Sequence, residues 1–184
     1  MNASTLLEAD GRIQSARAHW KYRGKTRPSF ATLPLEGQES VWDYPRPPRI
    51  EAVLTTLRVE TNGKLIAQTR NAVRVCETAS APTYYFPPED IEVELIDGAA
   101  NSICEWKGVA QPLDTPGVRG AAWRYVQMFP EFVAIYKWVA FYPNKLDCFI
   151  GDDKVAAQPG GYYGGWVTSN MTGPIKGEPG SGGW

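Results

Sequence analysis

The sequence predicts a mainly β chain: a single small β-sandwich domain carrying an extended N-terminal arm and a Gly/Pro-rich C-terminal wrap. Three observations carry this. From residue 53 onward, short runs rich in Val, Thr, Ile, Tyr and Trp are separated by turn residues about every eight to twelve positions. Helical periodicity is sparse throughout. The length of 184 residues suits one core rather than two, since domains average roughly 150 residues.

Residues 1–50 read as an arm. They are polar and Arg-rich, and they end in VWDYPRPPRIE, where Pro45, Pro47 and Pro48 remove backbone donors and favour an extended track. Leu6, Leu7, Ile13, Ala16 and Trp20 outline a loose helical face that Gly11 interrupts. The β domain is expected over 51–156. VLTTLRVE and KLIAQT flank Asn62-Gly63, a pair that tolerates positive φ at both turn positions, so a hairpin with a type I′ turn is expected. Further strands are expected in AVRVCE, PTYYFP, IEVELI, SICEW, GVAQPL, AAWRYV, KWVAFYP and KLDCFIG, with one helical turn or short helix in PEFVAIYKW. Residues 157–184 are dominated by Gly and Pro. Tyr162, Tyr163, Trp166 and Trp184 would pin such a segment to the domain as a wrap, while its composition equally suits a disordered tail.

Composition excludes several functions. Nineteen Lys and Arg against 20 Asp and Glu give a net charge of −1, which supplies no field to gather nucleic acid or an anionic membrane. No apolar run approaches the roughly 18 residues of a spanning helix, and the first twenty residues lack a secretory apolar segment, so a soluble, cytoplasmic protein is expected. Three widely spaced cysteines, Cys76, Cys104 and Cys148, suit reduced thiols. His19 is the only histidine, no Cys-x-x-Cys pair occurs, and no Gly-Lys-Ser/Thr follows the glycines at 160–165. A histidine triad, a zinc site and a phosphate cradle therefore lack their parts, and neither metal nor cofactor is expected.

The densest chemistry lies in SICEWKG, residues 102–108. On a regular strand Ser102, Cys104 and Trp106 share one face and Ile103, Glu105 and Lys107 the other. They converge only if the strand ends or bulges, which Gly108 would permit. Lys107 would then lower the Cys104 pKa and create a nucleophile; otherwise Cys104 is a buried thiol beside a solvated face. Arg74 and Glu77 are three apart and face opposite sides of a regular strand, although either would line a pocket at a sheet mouth, Arg74 as a bidentate anchor for an anion. PTYYFPPED reads as a strand halted by Pro87 and Pro88 with acids capping a following turn; the alternative is a paired-carboxylate acid/base site at Glu89 and Asp90, against which stands that adjacent carboxylates point apart. Seven tryptophans in so short a chain suggest a ring-lined pocket or interface.

In order along the chain, ESVWDYPRPP, RVCETASAPTYYFPPED, CEWKG, AAWRY, VAFYP and QPGGYYGGWVTSNMTGPIKGEPGSGGW resemble the domain-of-unknown-function family 427, from about residue 38 to 184. The resemblance implies a tent-like β fold of the Mss4 type, without the two Cys-x-x-Cys zinc pairs of those relatives. It maps the family's Cys-x-x-Lys-Gly element onto Cys104, Lys107 and Gly108, its Arg and Glu onto Arg74 and Glu77, and its Trp-x-Tyr onto Trp123 and Tyr125. Cys76 stands where leucine is common, and AWRYVQMFPEF departs from the usual run after Trp123. A nucleotidyltransferase-like label is sometimes attached to the family, but the Gly-Ser and Asp-x-Asp elements of metal-assisted nucleotidyl transfer are missing here.

Together these readings define an expected small-molecule site. Arg74 anchors an anion, Glu77 moves a proton, Lys107 stabilises developing negative charge, Cys104 is the candidate nucleophile, and Tyr85, Trp123 and Tyr125 exclude water. The activity would be a cofactor-independent isomerase, cyclase or hydrolase. The alternative is a non-catalytic binding or scaffold module that forms a homodimer through its aromatic surface.

Overall fold

Strand alternation sorts the side chains of Thr83–Phe86 to two sides: Tyr84 and Phe86 enter one apolar cluster and Tyr85 another. The structure is a computed structural model and describes residues 5–184; the first four residues of the expected arm lie outside the described residues. One helix, α1 (Gly11–His19), precedes the strands β1 (Glu39–Ser40), β2 (Arg49–Ala52), β3 (Leu57–Thr61), β4 (Lys64–Thr69), β5 (Val73–Cys76) and β6 (Thr83–Phe86). There follow β7 (Ile96–Asp97), β8 (Ser102–Cys104), β9 (Gly108–Thr115), β10 (Val118–Met128), β11 (Val139–Phe141) and β12 (Asp147–Ile150). The short strands β13 (Asp153–Lys154), β14 (Ala156–Ala157), β15 (Trp166–Val167) and β16 (Met171–Thr172) complete the chain.

An antiparallel sheet runs in the order β2-β5-β6-β11-β10-β9-β7, with β8 added beside β9. A four-stranded sheet, β13-β12-β3-β4, packs on one of its faces. Leu57, Val59 and Ile66 of the smaller sheet meet Phe86, Leu113 and Phe141 of the larger in a dry core. Each such side chain contributes about 1.5–3 kcal/mol on burial. The expectation of a small, mainly β fold holds. So does the hairpin: Thr61 pairs with Lys64 around Asn62 at φ 49° and Gly63 at φ 73°.

The opposite face of the large sheet carries a second cluster, including Tyr85, Trp123, Tyr125, Phe132 and Ile135. It is covered by parts the sequence presents as accessories. In the arm, the helix starts at Gly11 instead of being broken there, because Asp10 caps it by accepting from the N–H groups of Arg12 and Ile13. Val41, Trp42 and Tyr44 are buried with Cys76 and Ala79 in a third cluster. The 130s form a short 3₁₀ helix, Pro130–Ile135. The C-terminal segment is a wrap: β16 pairs in parallel with β1, Trp166 is fully buried against Tyr84, and Trp184 stacks on Phe30. Tyr162, expected to pin it, is exposed.

Two strand expectations shrink. Of IEVELI only Ile96 enters a strand, since Pro88–Asp90 turns the chain and Ile91, Val93 and Leu95 pack against the core from a non-ladder path. SICEW stops pairing at Cys104. Among the described residues no helix is long and apolar enough to cross a membrane.

Candidate functional site

SICEWKG is a hairpin. β8 ends at Cys104, the chain reverses through Glu105, Trp106 and Lys107, and Gly108 pairs back against Cys104. Gly108 sits at φ +134°, where a Cβ would stand 2.1 Å from the Gln127 carbonyl oxygen, so only glycine allows β9 to approach β10 here. The reversal cancels the alternation that would have separated Cys104 from Lys107. Both line one cavity. The Lys107 carbonyl accepts from Phe129 N–H at 3.1 Å, which fixes the turn to the end of β10.

The cavity, about 330 Å³, lies on the large-sheet face opposite the smaller sheet. Six of the seven expected residues line it: Glu77, Tyr85, Cys104, Lys107, Trp123 and Tyr125. Trp123 stands edge-on to Tyr85 with ring centroids 6.3 Å apart and contacts Tyr142 at 4.4 Å. The C-terminal wrap passes so close over Trp123 that a Cβ on Gly164 would come within 2.1 Å of the indole. Trp106, Trp123 and Tyr125 are buried within this chain, whereas Tyr162 is exposed.

Charge in the cavity is arranged around Glu77. Its Oε1 accepts from Arg46 Nε at 3.1 Å, and its Oε2 lies 3.6 Å from Lys107 Nζ. Burial disfavours the Lys107 ammonium, but the acidic neighbours Cys104, Glu77, Tyr85 and Glu105 outweigh it and hold the amine protonated above its usual range. Tyr85 is fully buried, and its hydroxyl stands near Tyr125 and Trp123 without a hydrogen bond of good geometry; burial, against the opposing pull of Lys107, pushes its pKa up to about 12. An unpartnered buried hydroxyl costs roughly 1–3 kcal/mol. Tyr85 and Lys107 are both among the residues lining the hollow.

Two expectations are corrected. Arg74 does not reach the cavity. On β5 it shares a face with Cys76, while Val75 and Glu77 face the cavity, as strand alternation requires. Its guanidinium is committed to Glu39 at 2.9 and 3.0 Å and to Glu51 at 2.7 Å. Second, Lys107 does not lower the Cys104 pKa overall. Burial raises it, Lys107 opposes, and Glu77 and Glu105 add to the rise, so the thiol stays protonated near neutrality.

Three residues that sequence reasoning did not place here complete the site. Trp20 donates its indole N–H to Glu105 at 2.6 Å. Arg46, with a fully buried side chain, donates to Glu77, to the Thr78 carbonyl at 2.9 Å and to the Tyr22 carbonyl at 3.1 Å. Lys176, 3% exposed, enters from the C-terminal wrap. Arm and tail residues outside the β domain in sequence leave no spacing signal. Among the described residues no three His, Cys, Asp or Glu side chains gather as a metal site.

Residues 49–152 match the family described as a domain of unknown function, DUF427, and the chain belongs to that family. The match is narrower than the resemblance over 38–184. It includes Glu77, Tyr85, Cys104, Lys107, Trp123 and Tyr125, while Trp20, Arg46 and Lys176 lie outside it. No curated protein matches the chain.

Proposed function

We propose that this DUF427 member binds a small organic molecule bearing an anionic group in the cavity and acts on it by acid–base chemistry without a cofactor, as an isomerase, cyclase or hydrolase. The observation that supports the reading is a hollow of about 330 Å³ in which the Lys107 ammonium and the Glu77 carboxylate stand among Tyr85, Trp123 and Tyr125, with the buried Tyr85 hydroxyl lacking a hydrogen bond of good geometry. A ligand oxygen accepting from both groups would satisfy the hydroxyl and compensate the ammonium.

In this reading Lys107 and Tyr85 hold the oxygen on which negative charge develops, which lowers the barrier most when the donors are already in place. Glu77 is the cavity carboxylate available to carry a proton, and Arg46 orients it. Trp123, Tyr125 and Trp20 exclude water and strengthen those interactions. Cys104 is a wall group in its thiol form.

The experiment is a thermal-shift and ligand-observed NMR screen of small carboxylic acids against their neutral amides. Acids are expected to bind in preference, Lys107→Met to weaken them by about tenfold or more, and Glu77→Gln to abolish turnover while affinity changes less. Equal binding of acids and amides, unaltered by Lys107→Met, would remove the proposed role.

A further inference from the structure

We propose that Lys176 is a nucleophilic amine of this cavity and forms an imine with an aldehyde or ketone bound there. The inference rests on the cavity being a ligand site and adds a covalent step to it.

The two cavity lysines are differently placed. Lys107 has Glu77 as its ion-pair partner. Among the described residues no Asp or Glu side chain lies within ion-pair distance of Lys176, and its Nζ donates at 3.4 Å to the oxygen of Trp184, the last residue of the sequence. That nitrogen lies 3.6 Å from the Trp20 ring centre and 5.5 Å from that of Tyr163, and the Arg46 guanidinium stands 4.4 Å from the same Trp20 ring. The backbone is fixed on both sides: Lys176 N–H donates to Ala79 at 2.7 Å, and its carbonyl accepts from Gln158 at 2.8 Å. The Trp20 and Tyr163 faces favour the ammonium form, whereas desolvation and the like charge of Arg46 favour the free amine, which is the setting that frees a lysine lone pair.

The groups facing it bear this out. Burial and the like charge of Arg46 lower the Lys176 pKa to about 8, against the opposing carboxylates of Glu77 and Glu105. At pH 8 roughly half of Lys176 is then free base, against under about one per cent of an ordinary exposed lysine. The Nζ lone pair attacks the carbonyl carbon, nitrogen gives up one proton and the carbonyl oxygen takes one up, giving a carbinolamine. Its hydroxyl takes up a second proton, the carbon–oxygen bond breaks, water leaves, and nitrogen loses its remaining proton as the C=N bond forms. Amine and carbonyl become imine and water, with no oxidant or reductant. The Lys107 ammonium can hydrogen-bond the carbonyl oxygen, and the Glu77 carboxylate is a base in the same cavity.

The test is incubation of the full chain with pyruvate or propanal at pH 8, reduction with cyanoborohydride, and peptide mapping by mass spectrometry. Reduced adduct is expected on Lys176 at least about tenfold faster than on exposed Lys64 and Lys154, and lost in Lys176→Arg with the other sites labelled as before. Labelling that follows exposure with both probes, or none on Lys176, overturns the proposal, and the wild-type map decides even if the variant does not fold. Should small acids bind the cavity while Lys176 stays unlabelled, the imine falls and the ligand site stands.

Discussion

Arg46 and Glu77 meet through two nitrogens of a guanidinium whose side chain is fully buried, Nε at 3.1 Å and Nη2 at 3.0 Å from Oε1. The pair joins the N-terminal arm to the segment after β5, and Lys107 approaches the same carboxylate from the 105–107 turn. Removing Glu77 therefore leaves two buried cations without their carboxylate. Glu77→Ala is expected to lower stability by about 3 kcal/mol, read by urea denaturation, with Glu77→Gln costing less because the amide oxygen still accepts from Arg46.

Arg74 offers the contrasting case. It bridges Glu39 and Glu51 across β1, β2 and β5, outside the cavity. Arg74→Met is expected to cost about 2 kcal/mol, since it leaves two half-buried carboxylates facing each other, while the affinity for small acids stays unchanged. Equilibrium unfolding alongside ligand titration separates the two effects.

Tyr85→Phe tests the orphan hydroxyl from the side of stability. Deleting a buried group that makes no hydrogen bond of good geometry removes its desolvation cost, so the variant is expected to be as stable as the wild type or more stable by about 1 kcal/mol. Affinity for a small acid is expected to fall. A loss of stability would show that the hydroxyl is satisfied within the protein.

Cys104 gives a pH signature. Its folded pKa is raised, with burial as the main cause, so the native state keeps a proton that the unfolded chain releases above about pH 8.5. Its contribution to stability is accordingly unaffected below that pH and becomes unfavourable as pH rises past it. Alkylation of Cys104 by iodoacetamide is expected to show a midpoint above the ordinary thiol value, measured by peptide mapping across pH.

Much of the β architecture was legible because strand chemistry is local. Asn62-Gly63 specifies its own turn, and the alternation of Tyr84, Tyr85 and Phe86 specifies two faces. The same rule placed Arg74 and Glu77 on opposite sides, and its separation of them is what the structure shows; bringing both into one pocket required a distortion that β5 does not make. The convergence of Cys104 with Lys107 depended on where β8 stops, which Gly108 signalled without settling. Arg46, Trp20 and Lys176 were out of reach for a different reason. They arrive from an arm and a wrap whose docking is determined by the tertiary contacts of Trp42, Trp166 and Trp184, and no periodicity encodes those.

The proposed chemistry requires that a small acid sit in the cavity. Two-dimensional NMR of the labelled protein, titrated with the tightest-binding acid from the screen, tests this most directly. Shifts concentrated on Lys107, Tyr85, the Trp123 indole and the 105–108 turn are expected; shifts confined to other surfaces, or none at saturating acid, would contradict it.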